Sequence, residues 1–355
     1  MTASGMGRSD QRPAWFSRFR WRGEWNAGLL LAATIGVAAS LFATLEERAL
    51  GHALIEVLVL ALLIGVVARN LLPDAGPFIA GTGFAAKQVL ELGVGLLGAS
   101  VDFRQVLAAG PALLTLVLIG VFGGLAANYL IGRSLRLSTK LAILVAVGNA
   151  ICGNSAIAAV APVIRAEKRD VASAIALTAV LGVCLVLALP LFLTLFGLSH
   201  YQYGVLAGMS VYAVPQVVAA AFPVSQLSGQ VATLVKLTRV LLLGPAVVLF
   251  AILARRMGEE GEVRRGIATY VPWFVALFLV LAAARSAGIL PVAVADPLRQ
   301  VSRWLTILAM AGLGFGVELA AIRKVGVRVG VAVTASLLVM TAVTLVLLRG
   351  LGIDG

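Results

Sequence analysis

Apolar runs of about 20 residues recur along nearly the whole chain, and that repetition limits what it can fold into. Of 355 residues, 61% are hydrophobic and only 12% charged, with a mean hydropathy of +1.02. A soluble domain is about half apolar and about a quarter charged. The chain reads as an all-α polytopic membrane protein, because barrel strands would alternate in polarity instead of running on. Candidate segments fall at 26–45, 53–72, 78–100, 108–132, 141–164, 171–198, 203–223, 231–254, 268–287, 296–317 and 327–349. A polar cytoplasmic tail is expected over 1–25, carrying Arg8, Arg12, Arg18, Arg20 and Arg22, followed by one transmembrane transporter domain over 26–350. Run 26–45 is too long for a cleaved signal and reads as a retained anchor. The net charge of +12 fits basic cytoplasmic loops and is no sign of nucleic-acid binding.

Two segments are interrupted. Gly148-Asn-Ala-Ile-Cys-Gly-Asn-Ser155 sets two glycines, Asn149, Asn154 and Ser155 inside an apolar stretch. In hydrocarbon each unpaired backbone group costs several kcal/mol, so such a break is tolerated only against protein or a water-filled cavity. Gly148 and Gly153 let the backbone unwind, and a helix starting near Asn154 would aim free N–H groups at the break. Cys152 lies in the same run. The second interruption is Gly208-Met-Ser-Val-Tyr-Ala-Val-Pro-Gln216, where Pro215 leaves a carbonyl near Val211 without its helical partner. Ser210, Tyr212 and Gln216 stand beside that kink. Close helix packing would explain the small residues alone, but not the asparagines.

The charges inside the segments set the sign of a solute. Lys236 and Arg239, three residues apart, share one helix face deep in 231–254. Lys87 and Glu91 stand four apart in 78–100, as a self-neutralising pair or a functional one, and Arg303 sits in 296–317. Neither interruption contains Asp or Glu. A cation site needs carboxylates, so the count favours an anion held by Lys236, Arg239 and helix-terminal N–H groups. No metal-ligand cluster, nucleotide-binding loop or cofactor motif stands out, and no cofactor is expected. A homo-oligomer is compatible with the sequence.

The expected topology comprises about 9–11 membrane segments and inverted repeats. If all eleven segments cross with the N-terminus inside, 16 Lys/Arg lie inside and 8 outside; if 141–164 and 203–223 are re-entrant, the counts become 19 and 5. Placement of Lys/Arg favours the re-entrant case. Leu97-Gly-Ala-Ser-Val-Asp102 matches Leu313-Gly-Phe-Gly-Val-Glu318 at an offset of 216, with Lys87 opposite Arg303. An offset of 60 aligns Val171-Ala172 and Leu177-Thr178 with Val231-Ala232 and Leu237-Thr238, and Gly148 with Gly208. Inverted repeats place substrate at their interface near the midplane.

Cys152-Gly-Asn-Ser-Ala-Ile-Ala-Ala159, Pro215-Gln-Val-Val-Ala-Ala-Ala221 and Val235-Lys-Leu-Thr-Arg-Val240 resemble the sulfate-exporter (YeiH-type) family of bacterial inner-membrane transporters. The likeness spans nearly the whole chain after the tail. It implies a multi-pass secondary transporter of the plasma membrane with a cytoplasmic N-terminus, moving a small inorganic or organosulfur anion such as sulfate. Many members carry a His-Glu pair where this chain has Tyr212-Ala213, so no proton-coupling role of that pair carries over. Two other functions compete. One is a cation/proton antiporter using Glu91. The other is an intramembrane thiol enzyme using Cys152, which would need a nearby base; the two histidines, His52 and His200, fall at segment ends.

Overall fold

The computed structural model describes residues 24–50, 57–101, 110–256, 273–320 and 327–353. Residues 1–23 of the polar tail, His52 and Asp102 lie outside them, while Glu24 and Trp25, expected in the tail, begin the first helix. Among the described residues the chain is helical with no strand. Five of the described helices are long and apolar enough to cross a membrane. Many large apolar side chains point outward, including Leu30 (67% exposed), Leu195 (73%) and Val346 (69%). A water-facing surface could not carry that much exposed hydrocarbon, whereas lipid accepts it.

The helices sort into two bundles. The first is a panel of α1 (Glu24–Leu50), α2 (Val57–Leu71), α3 (Gly76–Phe84), α4 (Leu90–Leu97), α14 (Trp273–Ser286) and α15 (Val292–Phe315). A π-helical turn, Ala85–Val89, joins α3 to α4. The panel packs backbone against backbone: a Cβ added at Gly314 would collide with the Leu62 carbonyl.

The second bundle is built around the interruptions. It contains α5 (Pro111–Ser134), α6 (Thr139–Val147), α7 (Asn154–Val160), α8 (Lys168–Ala188) with its continuation α9 (Pro190–Phe196), α10 (His200–Ser210), α11 (Val214–Ala221), α12 (Gln226–Leu241), α13 (Leu243–Arg256) and α16 (Val327–Gly350). Its principal contacts with the panel run through α11, which touches α2, α4 and α15.

Neither interrupted segment crosses. Lys140 Nζ donates to Arg165 O at 3.1 Å, and Ser138 Oγ pairs with Asp170 Oδ2 at 3.1 Å. A straight helix would hold residues 140 and 165 about 37 Å apart, so α6 and α7 form a hairpin that returns to its own end of the bundle. In the second segment Tyr203 Oη donates to Ala220 O at 2.8 Å and Ser228 Oγ to His200 O at 2.7 Å. That makes α10–α11 a hairpin as well. One crossing, α8–α9, separates the two, so they enter from opposite ends.

The offsets seen in the sequence map whole elements. Adding 216 carries 57–71, 76–97 and 111–134 onto 273–287, 292–313 and 327–350, the positions of α14, α15 and α16 within two residues. Adding 60 carries the first hairpin, 139–160, onto 199–220, where the second lies. One crossing lies between the two hairpins and four lie between 57–71 and 273–287, so in both cases the related elements run in opposite senses and the repeats are inverted.

Candidate functional site: the hairpin tips

The hairpins meet tip to tip inside the second bundle. After α6 the chain winds through a π-helical turn, Gly148–Cys152, and reverses at Gly153, with φ 62° and ψ −126°. Only glycine adopts that conformation at little cost. The position is also crowded, since an added Cβ would stand 3.3 Å from the Tyr212 Cβ. The second tip is extended at Val211 and Ala213 before α11 begins at Val214, with Pro215 in its first turn. There proline costs nothing, because its missing N–H would have had no helical partner.

Each hairpin presents the carbonyl end of its first arm to α12, where Lys236 and Arg239 are fully buried. Lys236 Nζ donates to Ile151 O and Val211 O, both at 2.8 Å. The Val211 carbonyl freed beside Pro215 is thus paired. Arg239 Nε donates to Ala150 O at 3.0 Å, Nη2 to Asn149 O at 2.7 Å, and Nη1 to Gly208 O at 2.8 Å and to Met209 O. The guanidinium, with five donors in a rigid fork, therefore clasps both tips at once. Two helix C-termini, which carry together about one negative charge, thus face Lys236 and Arg239.

Beside the tips, facing the panel, is a cavity of about 290 Å³. The hairpins contribute Gly153, Asn154, Tyr212, Ala213 and Gln216, α8 contributes Thr178, and the panel contributes Arg69, Thr82, Gly83 and 312–317 except Gly314. Among the described residues no Asp or Glu lines it. Asn154 is oriented by Thr178, whose Oγ1 donates to Asn154 Oδ1 at 2.8 Å. Gln216 Oε1 accepts from Ala213 N at 3.3 Å. The Tyr212 hydroxyl is buried and has no hydrogen-bond partner in the protein. At the cavity edge Arg69 pairs with Glu318 at 2.9 Å.

The structure separates the candidates that the sequence grouped together. Asn154, Gly153, Tyr212 and Gln216 line the tip cavity. Lys236, Arg239, Asn149 and Cys152 lie behind the tips and line neither this cavity nor a larger one, of about 660 Å³, that takes Leu97, Val218, Arg299 and Ile307. Both side-chain polar atoms of Asn149 are buried without partners. Ser210 Oγ accepts from Thr341 Oγ1 at 3.3 Å, and Ser155 is exposed outside the cavity. Lys87 and Glu91 are not paired: the π-helical turn over Ala85–Val89 alters their angular spacing, and Glu91 Oε2 accepts from Trp273 Nε1 at 2.8 Å. Lys87 is exposed, and Arg303 lines the larger cavity. Sequence reasoning missed Thr178, Arg69 and Thr82; the repeat match at 313–318 was the one signal pointing to the panel side.

Residues 27–333 match the family described as conserved hypothetical protein 698. A UPF0324 membrane protein of Brucella suis is 45% identical over 326 residues, covering 92% of this chain and 96% of the relative. One from Bradyrhizobium diazoefficiens is 44% identical over 323 residues, 91% and 92% of the two chains. A third, from Bacillus cereus, is 35% identical over 296 residues, 83% and 87%. No solved structure matches. A re-entrant hairpin pair in an all-helical membrane chain thus comes with full-length relatives named as membrane proteins, and the chain belongs to the UPF0324 membrane protein family.

Proposed function

We propose that this protein is a secondary transporter that moves a small inorganic or organosulfur anion through the hairpin tips. One observation carries the proposal: Lys236 and Arg239 bind the carbonyl ends of both hairpins beside a cavity that, among the described residues, is lined by no carboxylate. In this reading the two cations do not touch the solute. They fix the tips and supply a positive field, while the α11 N-terminus, Asn154 and Gln216 offer hydrogen bonds to the anion. Inverted repeats that meet at such a site are the architecture of alternating access.

Sulfate, or a sulfonate, is the substrate that the family resemblance suggests. With both hairpins re-entrant, the count of 19 Lys/Arg against 5 supports a cytoplasmic N-terminus in a bacterial plasma membrane. Thiol chemistry has no place in the proposal, because Cys152 is 6% exposed and lines neither cavity. The test is uptake into proteoliposomes of labelled sulfate, sulfite, thiosulfate and taurine under set Na⁺ and pH gradients. The expected result is protein-dependent accumulation of at least one of them. Na⁺ or H⁺ flux with no dependence on any anion, lost in Glu91→Gln, would instead assign the chain to the antiporters.

A further inference from the structure

Lys236 bridges the two hairpins at atoms that the repeat itself pairs. Its acceptors, the Ile151 and Val211 carbonyls, stand 60 residues apart, the offset that carries one hairpin onto the other, and each lies 2.8 Å from Nζ. The head group is therefore shared equally between the repeats. Arg239 does the same one turn further along α12, with Nη2 on Asn149 O and Nη1 on Met209 O, again 60 residues apart. The same offset carries Lys236 and Arg239 back to Ala176 and Ala179 of α8. A position shared by both tips has room for one occupant, and one helix alone supplies it.

Main-chain carbonyls from unwound turns and helix C-termini are the ligands with which inverted-repeat carriers hold a coupling cation. Such oxygens form the negative end of the helix dipole and favour a positive partner. Both acceptors of Lys236 are of this kind: Ile151 lies in the π-helical turn and Val211 caps the C-terminus of α10. From this we infer that the Lys236 head group stands in for the coupling cation of such carriers, so that this protein moves its solute without Na⁺ or K⁺. The inference rests on the transport reading above and narrows its energetics to routes that no alkali-cation gradient drives, such as exchange of one anion for another. A mobile cation enters and leaves in each cycle, and its gradient does work on the solute by that means. A tethered one cannot leave. Lys236 is fully buried and lines neither cavity, so its place is filled from within the chain. An occupant shared equally between related tips also suits both access states, since exchanging the roles of the repeats leaves it the same two partners.

Lys236→Ala empties the cage and leaves room for a free ion with the same head group, ammonium. Purified wild type and K236A are melted in ammonium, sodium, potassium and choline chloride at equal ionic strength. In choline, K236A should melt about 4 °C below wild type, from two unpaired carbonyls and the space left by the side chain. Ammonium, or an alkali cation in its place, should restore about 2 °C of this at about ten times its dissociation constant, and saturably. Wild type should melt alike in all four salts. K236A melting alike in all four overturns the cage, because a merely structural lysine would leave the variant weakened but indifferent to the cation. Saturable stabilisation of wild type by Na⁺ or K⁺ over choline overturns the substitution, and that comparison holds even if K236A does not fold. Neither readout requires flux, so failure of the uptake screen would defeat the transport reading and leave the cage to stand separately.

Discussion

Replacing Arg239 by Met tests the clasp that holds the two tips together. The side chain makes four hydrogen bonds to Asn149, Ala150, Gly208 and Met209 carbonyls. Methionine fills similar volume but donates to none of them. A buried polar group left without a partner costs about 1–3 kcal/mol. Part of that cost is offset, because the variant no longer holds a desolvated guanidinium, itself worth several kcal/mol. A net loss of about 4 kcal/mol follows for the four carbonyls. With about 2.1 cal/mol/K of unfolding entropy per residue, a chain of this length should melt about 5 °C lower. The assay heats detergent-purified protein and measures the fraction still monodisperse. Arg239→Lys keeps the charge but loses the planar fork, and should fall between the two. If R239M melts within about 1 °C of wild type and transports at the same rate, the arginine does not hold the tips and the reasoning fails.

Three further outcomes follow from the same geometry. Gly153→Ala forces a side chain into a conformation costing about 1–3 kcal/mol and against Tyr212; anion uptake should fall about a hundredfold through misplacement of the tip while the protein still reaches the membrane. Tyr212→Phe removes an unpartnered buried hydroxyl, so a thermal melt should show stability raised by about 1 kcal/mol, with the half-saturating anion concentration for uptake unchanged. Cysteines at Lys140 and Lys168, on either side of an apolar segment, should react with an impermeant reagent from the same membrane face, since the first hairpin returns to its own end.

The two breaks were legible because glycine, asparagine and proline stand out in hydrocarbon; the Val211 carbonyl is free as expected, but because the chain is extended at Val211 and Ala213 and not because Pro215 kinks a continuous helix. Re-entry was not legible from hydropathy, since a run such as 141–164 is equally long whether it crosses or folds back. The basic loop holding Arg165, Lys168 and Arg169 was the indication, because re-entry moves it to the side rich in Lys/Arg. Lys236 and Arg239 were found by counting charges, but that count omits backbone carbonyls. It therefore suggested direct solute ligands where the structure shows six carbonyl partners. The spacing of Lys87 and Glu91 misled for a different reason: a pattern of four assumes an α-helix, and one π-helical turn changes it. The panel half of the tip cavity was hidden because Thr82, Arg69 and 312–317 come together only through packing.

The central claim is that a negative solute sits at the hairpin tips. Ala213→Cys, on the wall of the tip cavity, reports on that point when its rate of modification by MTSES is followed in purified protein. A transported anion should slow the reaction in proportion to its occupancy, and Na⁺ in its place should not. Modification that ignores every anion tested but slows with Na⁺ or with protons would contradict the account.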